Sequence, residues 1–452
     1  MSELLSIRAA AAEAGAAPAL GCAGRTFTFG QLAARVEAEL PGLARTCVDR
    51  RPHPLVAANT LATVVTLLAL LELRVPALLI HPRLTAVERD ALLDEAARGG
   101  GVAPADAAAI IHTSGTTGAA RGAVLTRSAL LASAAASAAN LGWNDDDCWL
   151  MCMPLARVGG LSILTRSLAA RRRVALADGF DAAGFPALIE RERATLASLV
   201  PTMLARVLDA HPGWIPPGRL RAVLVGGAAA PPRLLARAAE RGLPIILTYG
   251  LTETCSQVVA TPYADRFAPL DRGAGRPLPG AMVRVVDGRI EVRGPMLMAG
   301  YWNAPPLAPG AWFDTGDLGA FDADGFLHLH ARRADLIVTG GENVYPAEVE
   351  AELERCPGIA AAAVFGLPDE TWGQTVAALL VADRAQPPDD AALARWIEAR
   401  LAPHKRPRQI AFVPRLPQTA AGKLDRGALA VHPTVMRPLK AMSRSLPSDP
   451  SK

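Results

Sequence analysis

Ala107-Ala108-Ala109-Ile110-Ile111, followed by Thr113-Ser114-Gly115-Thr116-Thr117-Gly118, is an apolar run that stops on a polar, glycine-containing loop. A short uninterrupted apolar run bounded by a turn signal is the pattern of a strand buried on both faces. Small residues beyond it let backbone N–H groups approach a polyphosphate, and the hydroxyls add further donors. The loop matches neither GxxxxGK[ST] nor GxGxxG. By its own chemistry it is either a phosphate cradle or an ordinary turn.

Working outward, the chain up to about residue 330 alternates helix-like and strand-like runs. Helices are expected over 31–43, 60–73, 127–140 and 230–241, and strands over 222–225 and 244–247, with a further short apolar run at 77–80. Such alternation predicts an α/β domain of mostly parallel sheets, with the chemistry on loops at strand ends. Residues 287–330 change to short alternating runs separated by turn residues, which predicts a small antiparallel β subdomain. The order helix 346–355, strand 361–365, strand 375–381, helix 390–401, strand 409–413 then predicts a small α+β domain. The expected division is 1–332 for the large N-terminal domain, 333–432 for a mobile C-terminal domain, and 433–452 for a disordered tail.

The length of 452 residues accommodates two to three packing units. An apolar fraction of 51% and a net charge of +4 place the chain among globular proteins. No block of like charge reads as a nucleic-acid arm, and Arg171-Arg172-Arg173 reads as a solvated surface. Six scattered cysteines lack zinc-site spacing and disulfide-scaffold density, so a reducing, cytoplasmic setting is expected. Glu3, Arg8 and Glu13 interrupt any secretory core. The uncharged stretch 54–71 carries Asn59, Thr60, Thr63 and Thr66 and is expected to be a buried helix, not a membrane span. No nucleic-acid partner or stable membrane insertion is expected, and a homo-oligomer is compatible with the sequence.

Thr113-Ser-Gly-Thr-Thr-Gly118, Tyr249-Gly-Leu-Thr-Glu253, Phe313-Asp-Thr-Gly-Asp317, Arg332 with Gly340-Gly-Glu-Asn-Val-Tyr-Pro346, and Gln418-Thr-Ala-Ala-Gly-Lys423 stand in one order along the chain. In that order and spacing they resemble the adenylate-forming superfamily of acyl- and aryl-CoA synthetases, over residues 18–429. The resemblance implies that a carboxylate attacks the α-phosphate of ATP and that coenzyme A then displaces AMP. It implies that residues 113–118 with Arg121 embrace the β- and γ-phosphates, that Glu253 holds Mg²⁺, and that Thr252 contacts the α-phosphate. It further implies that Asp317 and Arg332 hold the ribose, and that Gly226, Gly227, Ala228 and Tyr249 lie at the nucleotide. Lys423 would bridge carboxylate and phosphate. Rotation of the C-terminal domain about a hinge at 331–335 would then bring Gly340 and Gly341 to the pantetheine.

Several positions depart from the family pattern. Ala120-Arg121 replaces Pro-Lys, Ala334 replaces the hinge Asp or Lys, and His404-Lys405-Arg406-Pro407 replaces a Tyr-Lys-x-Pro junction. Arg157, in Pro154-Leu-Ala-Arg-Val-Gly-Gly160, replaces a histidine beside the acyl group; it either pairs with a second substrate carboxylate or faces solvent. Within the superfamily, His81-Pro-Arg-Leu-Thr85, the segment 161–167 and Tyr249 to Gln257 look most like 2-succinylbenzoate–CoA ligases of menaquinone biosynthesis. That resemblance assigns Arg157, Gly160, Ser256 and Gln257 to the acid. Another acid, a carrier protein as acceptor, or a non-catalytic nucleotide-binding homologue are the competing readings.

Overall fold

The structure is a computed structural model that describes residues 2–47, 51–98, 103–114, 120–227, 230, 232–269, 273–331, 336–383, 388–417, 428–429, 432 and 434–439. It separates into two compact units. One comprises Met1–Pro82, Leu92–Thr113 and Arg121–Ala334, and the other Arg83–Ala91, Ser114–Ala120 and Asp335–Lys452. Two short early segments thus group with the C-terminal part.

The first unit is built on a nine-stranded sheet. Its parallel centre runs Ile245–Leu251, Ala222–Val225, Leu196–Leu199, Cys148–Met151, Arg173–Leu176 and Pro18–Cys22, with antiparallel strands at both edges. The central strands are almost wholly apolar because helices cover the sheet, so Val223, Leu224, Ile245 and Ile246 are buried from either side. A second sheet of four strands contains His53–Val56, Ala77–Ile80, Ala107–Ser114 and Ala120–Thr126. The alternating segment forms a separate antiparallel sheet of Met282–Val286, Arg289–Arg293, Phe313–Phe321 and Leu327–Ala331, as expected.

Three local expectations differ from the structure. The uncharged stretch 54–71 is not one helix but strand His53–Val56 and helix Leu61–Leu73, divided where Thr60 caps the helix by accepting from the Thr63 N–H. The run Arg171-Arg172-Arg173 is tied down by ion pairs to Glu13, Asp145 and Glu192. The expected tail contributes Arg437–Pro438, which pairs with Gln409–Phe412.

Within the second unit, strands Ile359–Asp369 and Gly373–Ala382 form a long antiparallel pair, and Gln409–Phe412 joins the second strand in parallel. Helices Pro346–Glu354 and Asp390–Arg400 contribute Val349, Leu353, Leu393 and Ile397 to one apolar cluster with these strands. Lys405 is 7% exposed and donates to Glu348, at 2.5 Å, and to Glu88, at 3.2 Å. Burial lowers its pKa, but the two carboxylates outweigh that effect and hold it above the ordinary lysine value.

Candidate active site

The carboxyl end of strand Ile245–Leu251 leads into a single 3-10 turn, Thr252–Thr254, and then into a reversal. Cys255 (φ 51°) and Ser256 (φ 98°) both take positive φ, after which the chain returns as the antiparallel strand Ser256–Ala260. Non-glycine residues in such conformations cost on the order of 1–3 kcal/mol each, so surrounding contacts must hold them. Thr254 supplies some of these: its hydroxyl accepts from the Leu251 N–H (2.9 Å) and donates to the Ser256 carbonyl (2.7 Å). Gly250 supplies the space, because a Cβ there would lie 2.0 Å from the Ser256 oxygen. The bend is thus specified by a threonine and a glycine that flank Glu253.

Glu253 is 9% exposed, and its carboxylate accepts from the Tyr301 hydroxyl at 2.8 Å. Its main-chain carbonyl accepts from the Met298 N–H at 2.8 Å, which holds the turn against the Gly300–Tyr301 segment. The Thr113 hydroxyl lies 3.4 Å from the same carboxylate and 3.3 Å from the Arg121 carbonyl. The Arg121 guanidinium sits over the Tyr301 ring, 4.0 Å from its centroid. Tyr301 therefore holds a cation on its face and a carboxylate at its hydroxyl, and joins three distant segments. Among the described residues no group of three or more His, Cys, Asp or Glu side chains could cage a metal. A lone carboxylate suits Mg²⁺ whose other ligands are phosphate oxygens and water.

A second element of the site is Tyr249, whose hydroxyl donates to Asp317 at 2.9 Å with both residues buried. Asp317 lies on strand Phe313–Phe321. Its N–H donates to the Thr315 hydroxyl (3.1 Å), which in turn donates to the Ile290 carbonyl (2.8 Å). The carboxylate is held within the antiparallel sheet and reached from the parallel one. Gly226 and Gly227 end strand Ala222–Val225; a Cβ on Gly226 would meet the Thr248 hydroxyl at 2.2 Å, and Gly227 takes φ 81°. Both glycines have a steric reason that is independent of any ligand.

The residues assigned to the acid are divided. Arg157 is half-buried at the start of helix Val158–Ala170, its N–H donating to the Pro154 carbonyl at 3.0 Å. Gly160 is required by packing, since a Cβ would lie 2.2 Å from the Pro154 oxygen. Ser256 is half-buried in the bend. Gln257 is 5% exposed and its amide donates to the Ser137 hydroxyl at 3.1 Å. Thr252 is half-buried beside Glu253, and Ser114 ends strand Ala107–Ser114. In the second unit, Gly340 and Gly341 (φ 59° and 80°) form the tight turn between strands Ile337–Thr339 and Glu342–Val344, with Gly340 packed against Trp372. Gly115, Thr116, Thr117, Gly118, Ala228, Arg332 and Lys423 lie outside the described residues, as do Ala334 and residues 433 and 440–452 of the expected tail.

Tyr301 and Ser137 are site neighbours that sequence reasoning did not single out. Tyr301 belongs to a Gly-Tyr-Trp-Asn run with no chemical signature of its own. Ser137, with Ser133 and Asn140, was available as a polar i, i+4, i+7 stripe on an otherwise alanine-rich helix.

Comparison with known proteins joins these elements. The family model described as AMP-binding enzyme matches residues 98–302, and that described as AMP-binding enzyme C-terminal domain matches residues 348–423. The chain is 42% identical over 340 residues to the 2-succinylbenzoate–CoA ligase of Bacillus licheniformis, covering 72% of this chain and 70% of that protein. Among solved structures, it superposes with a TM-score of 0.88 on a double mutant of o-succinylbenzoate CoA synthetase from Bacillus subtilis bound with its product analogue. The identity there is 31%, over 96% of this chain and 99% of that one. A structure of the Bacillus subtilis synthetase with ATP and magnesium gives a TM-score of 0.68 at 32% identity, over 94% and 98% of the chains. With its Glu253 turn and its Tyr249–Asp317 pair on the matched framework, the chain belongs to the AMP-binding enzyme family.

Proposed function

We propose that this chain is an ATP-dependent, AMP-forming acid–CoA ligase and that its acid is 2-succinylbenzoate. The observation that carries the reaction class is the junction at Tyr301, which brings Thr113 and Arg121 together with Glu253. A cation, hydroxyl donors and a single carboxylate suit a polyphosphate accompanied by a divalent cation. The relatives' named substrate supports the choice of acid.

In the first half-reaction a carboxylate oxygen of the acid forms a bond to the α-phosphorus while the bond to pyrophosphate breaks. Thr113 and Arg121 position the leaving phosphates, and Arg121 balances their charge. Glu253 is the carboxylate for Mg²⁺, which neutralises phosphate charge when bound. Asp317, buried and steadied by Tyr249, accepts from the ribose hydroxyls. Lys423 bridges the carboxylate and the α-phosphate. In the second half-reaction the sulfur of coenzyme A bonds to the acyl carbon, the bond to AMP breaks, and the thiol proton passes to solvent. The succinyl carboxylate is the one activated and the aryl carboxylate is recognised. The enzyme works in the cytoplasm on small molecules alone.

Pyrophosphate release measured across a panel of acids tests this assignment. Turnover of 2-succinylbenzoate well above benzoate and fatty acids is expected. A faster reaction with either of those would refute the choice of acid.

A further inference from the structure

Helix Val158–Ala170 carries Arg166, which is 3% exposed, in its last turns. Among the described residues no carboxylate lies within ion-pair distance of its guanidinium, and its Nε is buried without a hydrogen-bond partner. Burial lowers its pKa to about 10, so it stays cationic at neutral pH. A buried, uncompensated charge opposes folding, and substitution by an apolar side chain would be favoured if stability were the sole constraint.

Its surroundings indicate what the charge acts on. The Arg166 Nη2 lies 3.5 Å from the Ser133 hydroxyl, and that hydroxyl donates to the Cys255 carbonyl at 2.8 Å. The Trp149 ring centroid lies 5.8 Å from the guanidinium carbon. One turn along helix Arg127–Leu141, the Ser137 hydroxyl accepts from the Gln257 amide. One turn further, Asn140 donates to the Thr261 carbonyl at 3.1 Å and accepts from the Tyr263 N–H at 3.2 Å. Ser133, Ser137 and Asn140 therefore hold the returning segment at the residue before the strand, within it at Gln257, and just beyond its end. Ser133 acts at Cys255, which with Ser256 is one of the two positive-φ residues of the bend.

We infer that Arg166, acting through Ser133 on the Cys255 carbonyl, is a positioning residue that sets the strained bend between Glu253 and Gln257 for binding of the acid. The cation orients the Ser133 hydroxyl, leaving its lone pairs toward the guanidinium and its proton toward the carbonyl. The carbonyl so held keeps Cys255 and Ser256 in conformations they would otherwise leave. This role rests on the proposed ligase reading, in which the segment after Glu253 faces the acid.

Arg166→Met, Arg166→Lys and Ser133→Ala separate this role from simple packing. Arg166→Met is expected to leave the melting temperature unchanged or raise it, while raising the KM for the acid about ten-fold and the KM for ATP less than two-fold. Arg166→Lys, which keeps the charge but not the fork, is expected to fall between wild type and Arg166→Met. Ser133→Ala is expected to reproduce the rise in acid KM. An unchanged acid KM in Arg166→Met, or a parallel loss of stability and of affinity for both substrates, overturns the inference. If wild type prefers another acid, the choice of 2-succinylbenzoate fails, and the same KM comparison made with the preferred acid still decides the role of Arg166.

Discussion

Arg221→Met removes one partner of a buried ion pair whose cost follows from its contacts. Asp147 has a fully buried side chain and accepts from Arg221 Nε (2.8 Å) and Nη2 (2.6 Å), from the Thr195 hydroxyl (2.7 Å) and from the Asn144 N–H (2.8 Å). Arg221 also donates to the Leu141 and Gly142 carbonyls, which closes the C-terminus of helix Arg127–Leu141 with a cation. Truncating one side of such a pair costs about 3–5 kcal/mol, because the other charge stays buried. In a unit of this size that corresponds to a fall in melting temperature of roughly 5–7 °C. Burial alone pushes the Asp147 carboxyl up, but Arg221, Asn144 and Thr195 outweigh it and hold it below the ordinary carboxylate range. In wild type the pair therefore stabilises above the unfolded carboxylate pKa and loses that contribution as pH falls through the lower, folded value. Without Arg221 the carboxyl loses its charged partner while Asn144 and Thr195 remain, so its folded pKa rises and the stabilisation that the ionised form gives in wild type is lost above that value. Differential scanning at pH 5 and pH 7.5 should show the larger deficit at pH 7.5. A deficit of less than about 2 °C, or one that shrinks toward neutral pH, would refute the reasoning.

Three further outcomes are expected. Tyr249→Phe removes the donor to buried Asp317; by the usual cost of such a loss, about 1–3 kcal/mol, the KM for ATP should rise roughly ten-fold in steady-state kinetics. Tyr301→Phe releases the Glu253 carboxylate, so activity should require several-fold more Mg²⁺ while the KM for the acid is unchanged, read from a metal titration. Lys423→Ala should abolish adenylate formation and spare thioester formation from a supplied acyl-adenylate, measured as separate half-reactions; equal loss of both would contradict its proposed role.

Much of the scaffold was legible because its signals are local. Strands Ala77–Ile80 and Ala222–Val225 coincide with their apolar runs, and helix Arg127–Leu141 with its expected span to within a residue. The failure at 54–71 has a tertiary cause. Asn59 seemed a mere interruption of an apolar helix, yet its amide donates to the Met153 and Ala177 carbonyls and its oxygen accepts from the Leu155 N–H. Those partners lie some ninety residues or more away, and no window on the sequence contains them. The site divides in the same way. Glu253 and Asp317 sit in motifs that could be read directly, whereas Tyr301 matters only because the fold places its ring under Arg121 and its hydroxyl on Glu253. Gln257, assigned to the acid from its position after Glu253, has its amide engaged by Ser137, a contact that depends on how a helix packs on a strand.

The most direct test of the account is to incubate the chain with 2-succinylbenzoate, ATP and Mg²⁺, with and without coenzyme A, and to quantify AMP and acyl thioester together. The account predicts AMP and thioester in equal amounts, with thioester formed solely when coenzyme A is present. No AMP from this acid, or AMP without thioester in the presence of coenzyme A, would contradict it.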